Sequence, residues 1–112
     1  LAIYSGNDDQ ILPILSLGGK GVISVLSNIM PKYVVDMIQK YFDGNIKEAT
    51  KMQLDVIDLI DCLFSEVNPI PVKHALNLIG YDFGKPRLPL IELSEENKKK
   101  MEDVLKKHEL VK

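Results

Sequence analysis

The hydrophobic pattern opens with two short apolar runs, residues 1–5 and 21–26, separated by a stretch with helical spacing. Each run is apolar along nearly its whole length, which is typical of parallel strands covered on both faces. Strand, helix and strand within about 25 residues predict a βαβ unit with parallel strands and a right-handed crossover. A two-stranded parallel sheet is marginal by itself, so we expect further strands beside these two.

The helix between the strands is expected to begin at a carboxylate and to end at a glycine pair. Asp8 or Asp9 is placed to cap it by accepting hydrogen bonds from free backbone N–H groups. Pro13 lies within this stretch, so the helix is either kinked there or begins later. Gly18 and Gly19 then end it.

From residue 31 onward the apolar positions repeat at helical spacing, and proline, glycine and serine mark the helix ends. The predicted helices are residues 31–43, 46–64, 71–79 and a last one capped by Ser94. The second is expected to open with a capping box formed by Asn45 and Glu48. Three glycine or proline breakers in residues 81–93 predict an extended segment.

The predicted fold class is therefore α/β, with two β/α units in residues 1–44 followed by three helices in residues 45–112. The two strands have the character of the last part of an α/β barrel. Because Leu1 lies inside an apolar run, we expect the chain to be part of a longer protein. An engineered or processed start on a complete small domain is the alternative.

Composition excludes several classes of protein. The chain is 46% hydrophobic and 27% charged, as in ordinary globular proteins. Its net charge of −2 provides no basic footprint for nucleic acid. No apolar run approaches the roughly 18–20 residues that a membrane span requires. Cys62 is the single cysteine and no secretory segment is recognisable, which favours a cytoplasmic location.

Several residues with chemical potential have simpler interpretations. Residues 18–21, Gly-Gly-Lys-Gly, lack the spacing of a phosphate-binding loop and favour a tight turn. His74 and His108 have no partner at ligand spacing, and Cys62 has no basic neighbour, so packed or surface roles are favoured. One helix carries carboxylates every three residues, which favours a solvated face over a metal site. These are Asp55, Asp58 and Asp61. We expect neither a metal nor a cofactor.

The carboxyl ends of the two predicted strands are the better candidate site, because this rim carries the active site of an α/β barrel. Ser5, Gly6 and residues 24–28 lie there. Gly6 has no side chain, so its backbone can approach a ligand closely. Lys20 lies at the opposite end of its strand, on the wrong face for catalysis. The residues alone name no reaction.

Four segments, in this order, resemble dihydrodipicolinate synthases. They are residues 5–8 (Ser-Gly-Asn-Asp), 18–28 (Gly-Gly-Lys-Gly-Val-Ile-Ser-Val-Leu-Ser-Asn), 66–73 (Glu-Val-Asn-Pro-Ile-Pro-Val-Lys) and 87–90 (Arg-Leu-Pro-Leu). The resemblance covers this whole chain but only part of the family's usual length. It implies that residues 1–44 form the last two β/α units of a (β/α)8 TIM barrel, and that residues 45–112 form a three-helix C-terminal domain.

The resemblance also implies the chemistry. In this family a lysine on the sixth strand forms a Schiff base with pyruvate. The resulting enamine adds to L-aspartate 4-semialdehyde and gives 4-hydroxy-tetrahydrodipicolinate, on the way to diaminopimelate and lysine. That lysine lies upstream of Leu1, so no catalytic residue is expected here and the chain alone is expected to be inactive. A homo-oligomeric enzyme without a cofactor is expected.

Two positions resemble residues of the family's substrate pocket. Ile23 resembles the residue that contacts bound pyruvate, and Gly6 resembles the glycine that borders the same pocket. Asn7 departs from the aspartate often found at its position. Related pyruvate lyases such as N-acetylneuraminate lyase share the barrel and the imine chemistry, but residues 21–25 and 68–73 favour dihydrodipicolinate synthase. A self-contained, non-catalytic interaction module that binds through its strand edges is the alternative of a different class.

Overall fold

The computed structural model describes all 112 residues and places the two expected strands side by side. β1 (Tyr4–Ser5) and β2 (Gly21–Val22) are parallel, with Tyr4 opposite Gly21 and Ser5 opposite Val22. β2 is shorter than the apolar run that predicted it, because the chain turns into a 3-10 helix at Leu26–Asn28. The βαβ prediction is confirmed, but the second strand ends earlier than expected.

The helix between the strands begins later than the positions of Asp8 and Asp9 suggested. A 3-10 turn, Asp8–Gln10, precedes α1 (Ile11–Ser16), and no side chain of the preceding residue caps either of them. The late start places Pro13 in the first turn of α1, where its missing N–H costs no intrahelical hydrogen bond. The prediction that Asp8 or Asp9 caps α1 is therefore wrong. The helix does end before Gly18, whose φ of 92° suits a residue without a side chain.

The rest of the chain forms five helices. They are α2 (Pro31–Phe42), α3 (Ile46–Asp55), α4 (Ile57–Leu63), α5 (Ile70–Ile79) and α6 (Glu95–Lys107). The single helix predicted for residues 46–64 is two, interrupted at Val56. Four helices therefore follow residue 44 where three were expected. Residues 81–93 are free of helix and strand, as predicted.

The two predicted helix caps have different outcomes. The Oγ of Ser94 accepts a hydrogen bond from the backbone N–H of Asn97, so the cap of α6 is confirmed. The Asn45 side chain instead donates to the carboxylate of Glu48 at 3.1 Å and makes no bond to a backbone N–H. The prediction of a capping box at α3 is therefore wrong, since the two side chains bond to each other and not to the free backbone N–H groups at the start of the helix.

The chain divides into two compact units, Leu1–Ile57 and Asp58–Lys112. In the first, α1 contacts both strands, α2 and α3, and the largest buried side chains include Ile11, Leu26 and Met37. In the second, α5 contacts α6, and the buried side chains include Leu59, Leu63, Met101 and Leu105. α3 belongs to the first unit because it packs on α1 and α2. The assignment of residues 1–44 to a barrel and 45–112 to a C-terminal domain stays a prediction.

The first unit leaves apolar side chains uncovered in β1 and next to both strands. Ile3 is 55% exposed, Tyr4 54% and Ile23 74%. Each strand pairs on one side only, so both outer edges are open. Strands with this character pack stably only beside further strands.

None of the helices is long and apolar enough to cross a membrane.

Candidate functional site

The register of the strands brings Gly6 and Ile23 to the same rim. The backbone N–H of Ile23 donates to the carbonyl of Ser5 at 2.9 Å, so Ile23 follows β2 next to the point where Gly6 follows β1. The side chain of Ile23 faces solvent, and no atom lies within 4 Å of the position that a Cβ of Gly6 would occupy. The rim therefore presents an apolar side chain beside an unobstructed backbone.

A buried carboxylate fixes the loop that follows β2. Asp8 is 1% exposed, and its side chain accepts hydrogen bonds from the Oγ of Ser24 and from the backbone N–H groups of Val25 and Leu26, the latter two at 3.0 Å. These N–H groups lie at the start of a 3-10 turn, where backbone donors lack partners within the helix. Asp8 thus caps this turn across the rim, and not α1 as the sequence suggested.

Serine hydroxyls hold the two rim loops in shape. The Oγ of Ser5 donates to the carbonyl of Asn7 at 2.8 Å and accepts from its N–H at 3.2 Å. The Oγ of Ser24 accepts from the N–H of Ser27 at 2.9 Å, and the Oγ of Ser27 donates to the carbonyl of Ser24 at 3.0 Å. Because these hydroxyls have hydrogen-bond partners within the rim loops, the rim suits shaping a pocket rather than bond-making.

α3 supports the same rim from within the first unit. Gln53 is 5% exposed, and its Nε2 donates to the carbonyl of Asp8 at 2.8 Å while its Oε1 accepts from the N–H of Leu12 at 3.2 Å. Gln53 thereby satisfies a free N–H in the first turn of α1, the role expected of an aspartate. No sequence signal pointed to it, because its partners lie 45 and 41 residues away.

Cys62 and His108, which the sequence offered as possible chemical groups, lie in surroundings that favour structural roles. Cys62 is half-buried, and burial raises the pKa of its thiol, with Asp58 and Asp61 adding to the rise, so the thiol is not activated as a nucleophile. His108 has a partner that sequence spacing missed, since its Nε2 lies 2.8 Å from Oδ1 of Asp58. No group of three or more His, Cys, Asp or Glu side chains is placed to hold a metal ion.

The lysines considered from the sequence lie away from the rim or have partners of their own. The N–H of Lys20 donates to the carbonyl of Ile3 at 2.7 Å, which places Lys20 at the amino end of β2. The Nζ of Lys73 donates to the carbonyl of Lys85 at 3.0 Å, within the second unit. Lys20 therefore lies at the end of β2 opposite to the rim.

Comparison with known proteins gives a consistent set of matches. Residues 1–108 match the family described as the Dihydrodipicolinate synthetase family. The 4-hydroxy-tetrahydrodipicolinate synthase of Clostridium tetani is 54% identical over 110 residues, which are 98% of this chain and 37% of the relative. The crystal structure of a dihydrodipicolinate synthase from Thermotoga maritima matches with a TM-score of 0.95 at 43% identity, over 98% of this chain and 37% of that one.

A further solved structure is described as the first monomeric dihydrodipicolinate synthase variant. It matches with a TM-score of 0.95 at 43% identity, and covers 98% of this chain and 37% of its own. This chain therefore spans 37% of the length of these relatives.

Proposed function

Because this chain belongs to the dihydrodipicolinate synthetase family, we propose that it forms part of a 4-hydroxy-tetrahydrodipicolinate synthase. Residues 1–44 would supply the last two β/α units of its barrel, and residues 45–112 would supply its C-terminal helical domain. The open outer edges of β1 and β2 support this placement, because a barrel supplies neighbours on both sides.

The observation that carries the proposal is that Ile23 and Gly6 lie next to each other at the carboxyl rim. In the proposed reaction pyruvate forms a Schiff base with a lysine, and the derived enamine adds to L-aspartate 4-semialdehyde. An exposed apolar side chain suits contact with the small carbon skeleton of pyruvate, and the open backbone at Gly6 leaves room beside it. Both residues would orient the substrate, and the bond-making amine would come from a neighbouring strand.

The wider assignments follow from the same proposal. The enzyme would act in the cytoplasm and would assemble as a homo-oligomer. The description of one relative as a monomeric variant makes the assembly worth measuring, and sedimentation of the full-length enzyme gives the answer.

Trapping of the imine tests the placement of the nucleophile. Full-length enzyme treated with pyruvate and borohydride is expected to gain one adduct on a lysine outside residues 1–112, and this chain alone is expected to gain none. An adduct mapped to Lys20, Lys32 or Lys73 would overturn the proposal.

Kinetics of the full-length enzyme test the rim. Ile23→Ala removes the apolar contact and is expected to raise KM for pyruvate about tenfold with a smaller change in kcat, the loss expected for a few buried methyl and methylene groups. Ile91→Ala, at a similarly exposed isoleucine outside the rim, is the matched control. Equal KM values for Ile23→Ala and the unmodified enzyme would contradict the assigned role.

A further inference from the structure

A cavity of about 280 Å³ in the second unit is lined by apolar side chains and by a group of basic ones. It lies between α5, the extended segment of residues 81–93 and the beginning of α6. The charged and titratable side chains in its wall are three lysines, one histidine and one glutamate. They are Lys73, Lys85, Lys98, His74 and Glu92.

Lys73 is the cation of this cavity that has no carboxylate partner. Its Nζ donates to the carbonyl of Lys85 at 3.0 Å. No carboxylate oxygen lies within 4.0 Å of this Nζ, the distance at which an ion pair forms. Lys85 is paired with Glu92 at 3.5 Å, and Lys98 is paired with Glu95 at 2.8 Å. One positive charge in the wall is therefore left without a carboxylate partner, on a side chain that is half-buried.

The cavity is held open by an amide that spans its wall. The Nδ2 of Asn77 donates to the carbonyl of Gly84 at 2.9 Å, and its Oδ1 accepts from the N–H of Phe83 at 2.8 Å. These two bonds, together with the bond from Lys73 to the carbonyl of Lys85, anchor the extended segment to α5, and they leave two of the three N–H donors of Lys73 without a protein partner. The cation consequently stays available to a ligand in a preformed space.

His74 adds a second group that responds to an anion. Burial lowers the pKa of His74, the charge of Lys98 lowers it further, and Glu95, Glu92 and Glu102 act in the opposite direction. At neutral pH its ring is therefore mostly uncharged. An anion bound next to it would favour the protonated ring and raise this pKa.

We propose that this cavity binds a phosphate group, either free or carried by a small organic molecule, with Lys73 as its principal cation. Ammonium groups bind phosphate as point charges, and Lys73 supplies the positive charge that the pairs of Lys85 with Glu92 and of Lys98 with Glu95 leave over. The volume of the cavity exceeds that of one phosphate ion, which leaves space for an organic substituent. This proposal does not depend on the function proposed above.

Proton NMR of the two histidine rings in this chain provides the test. Titration with inorganic phosphate at constant ionic strength is expected to raise the pKa of His74 saturably, with Kd of about 1 mM. The ring-proton resonances of His108, recorded at one fixed pH, are the control and are expected not to move with phosphate. Glycerol 3-phosphate is the second probe, and tighter binding of either probe identifies whether the free or the carried group is preferred. An equal shift of His74 with sodium chloride would overturn the proposal.

Substitutions separate binding from folding. Lys73→Met is expected to weaken phosphate binding at least tenfold, whereas Lys73→Arg keeps the charge and is expected to bind within about threefold of the unmodified chain. Lys99→Met, at an exposed lysine of α6 outside the cavity, is the matched control. Unchanged binding by Lys73→Met with a native circular dichroism spectrum, or loss of binding by Lys99→Met, would overturn the proposal.

Discussion

Nε2 of His108 lies 2.8 Å from Oδ1 of Asp58, and the same carboxylate accepts a hydrogen bond from Lys107. This contact ties α6 to α4 within the second unit. Partial burial by itself would raise the pKa of Asp58, but the bonds from Lys107, His108 and the N–H of Leu59 outweigh it and lower the pKa to about 2. The ionised carboxylate is therefore favoured by folding.

Replacement of Asp58 by asparagine should have a pH-dependent cost. Because the folded pKa of Asp58 lies below its ordinary value of 3.8, the stabilisation is complete above that value and is lost as the pH falls towards 2. We expect Asp58→Asn to lower the free energy of unfolding by about 1 kcal/mol at pH 7, since the pair is partly exposed to water. Urea unfolding at pH 7 and pH 3 measures the difference. Asp61→Asn, at an exposed position of α4, is the control, and a loss as large at pH 3 as at pH 7 would contradict this account.

Replacement of Asp8 should loosen the rim. Asp8→Asn removes the charge and replaces one acceptor oxygen by an NH2 group, which faces either the hydroxyl of Ser24 at Oδ1 or the N–H groups of Val25 and Leu26 at Oδ2. We expect a loss of about 2 kcal/mol in the free energy of unfolding. Amide exchange at Val25 and Leu26 should accelerate in step with it. Asp9→Asn changes an exposed carboxylate of the same turn and should alter neither quantity.

Gln53 offers a test of the support beneath the rim. Gln53→Leu keeps a side chain of similar size but leaves the carbonyl of Asp8 and the N–H of Leu12 without partners. We expect denaturant unfolding to show a loss of about 2 kcal/mol. Gln39→Leu, at an exposed position of α2, should change stability by no more than about 0.5 kcal/mol. Similar values for the two variants would show that these hydrogen bonds contribute little.

Gly19 is restricted by space. A Cβ at this position would lie 2.5 Å from Cγ2 of Ile14 and 2.7 Å from its carbonyl oxygen. We expect Gly19→Ala to lower the midpoint of thermal unfolding, with a loss of about 1–3 kcal/mol from overpacking. Gly6→Ala meets no atom within 4 Å and should leave stability nearly unchanged. A Gly19→Ala chain as stable as Gly6→Ala would rule out the steric explanation.

Features with local signals could be predicted from the sequence. The cap at Ser94 needs only a backbone N–H three residues later, and the helix from Pro31 follows from one proline and regular apolar spacing. That Gly6 and residues 24–28 lie at one rim followed from the parallel pairing of two apolar runs, whereas Ile23 was singled out by the family resemblance. Their contact with pyruvate stays a prediction.

Features that depend on packing could not be predicted. The carboxylate of Asp8 reaches donors 16 to 18 residues away, and His108 meets Asp58 across 50 residues, so no local pattern contains either pair. The interruption of the long helix at Val56 was hidden for a different reason. Apolar spacing continues through residues 46–64 without a glycine or proline, and the break coincides with the boundary of the two compact units.

The cap that Asp8 forms across the rim has a consequence for protein engineering. The anion belongs to the loop after β1 and its donors belong to the loop after β2, so neither loop carries a complete set of interactions. A chimera that takes only one of these loops from a relative therefore contains either the carboxylate of Asp8 or its donors, but not both from the same protein. Residues 8–26 are the shortest continuous segment that contains both Asp8 and its three donors, so they should be transplanted together.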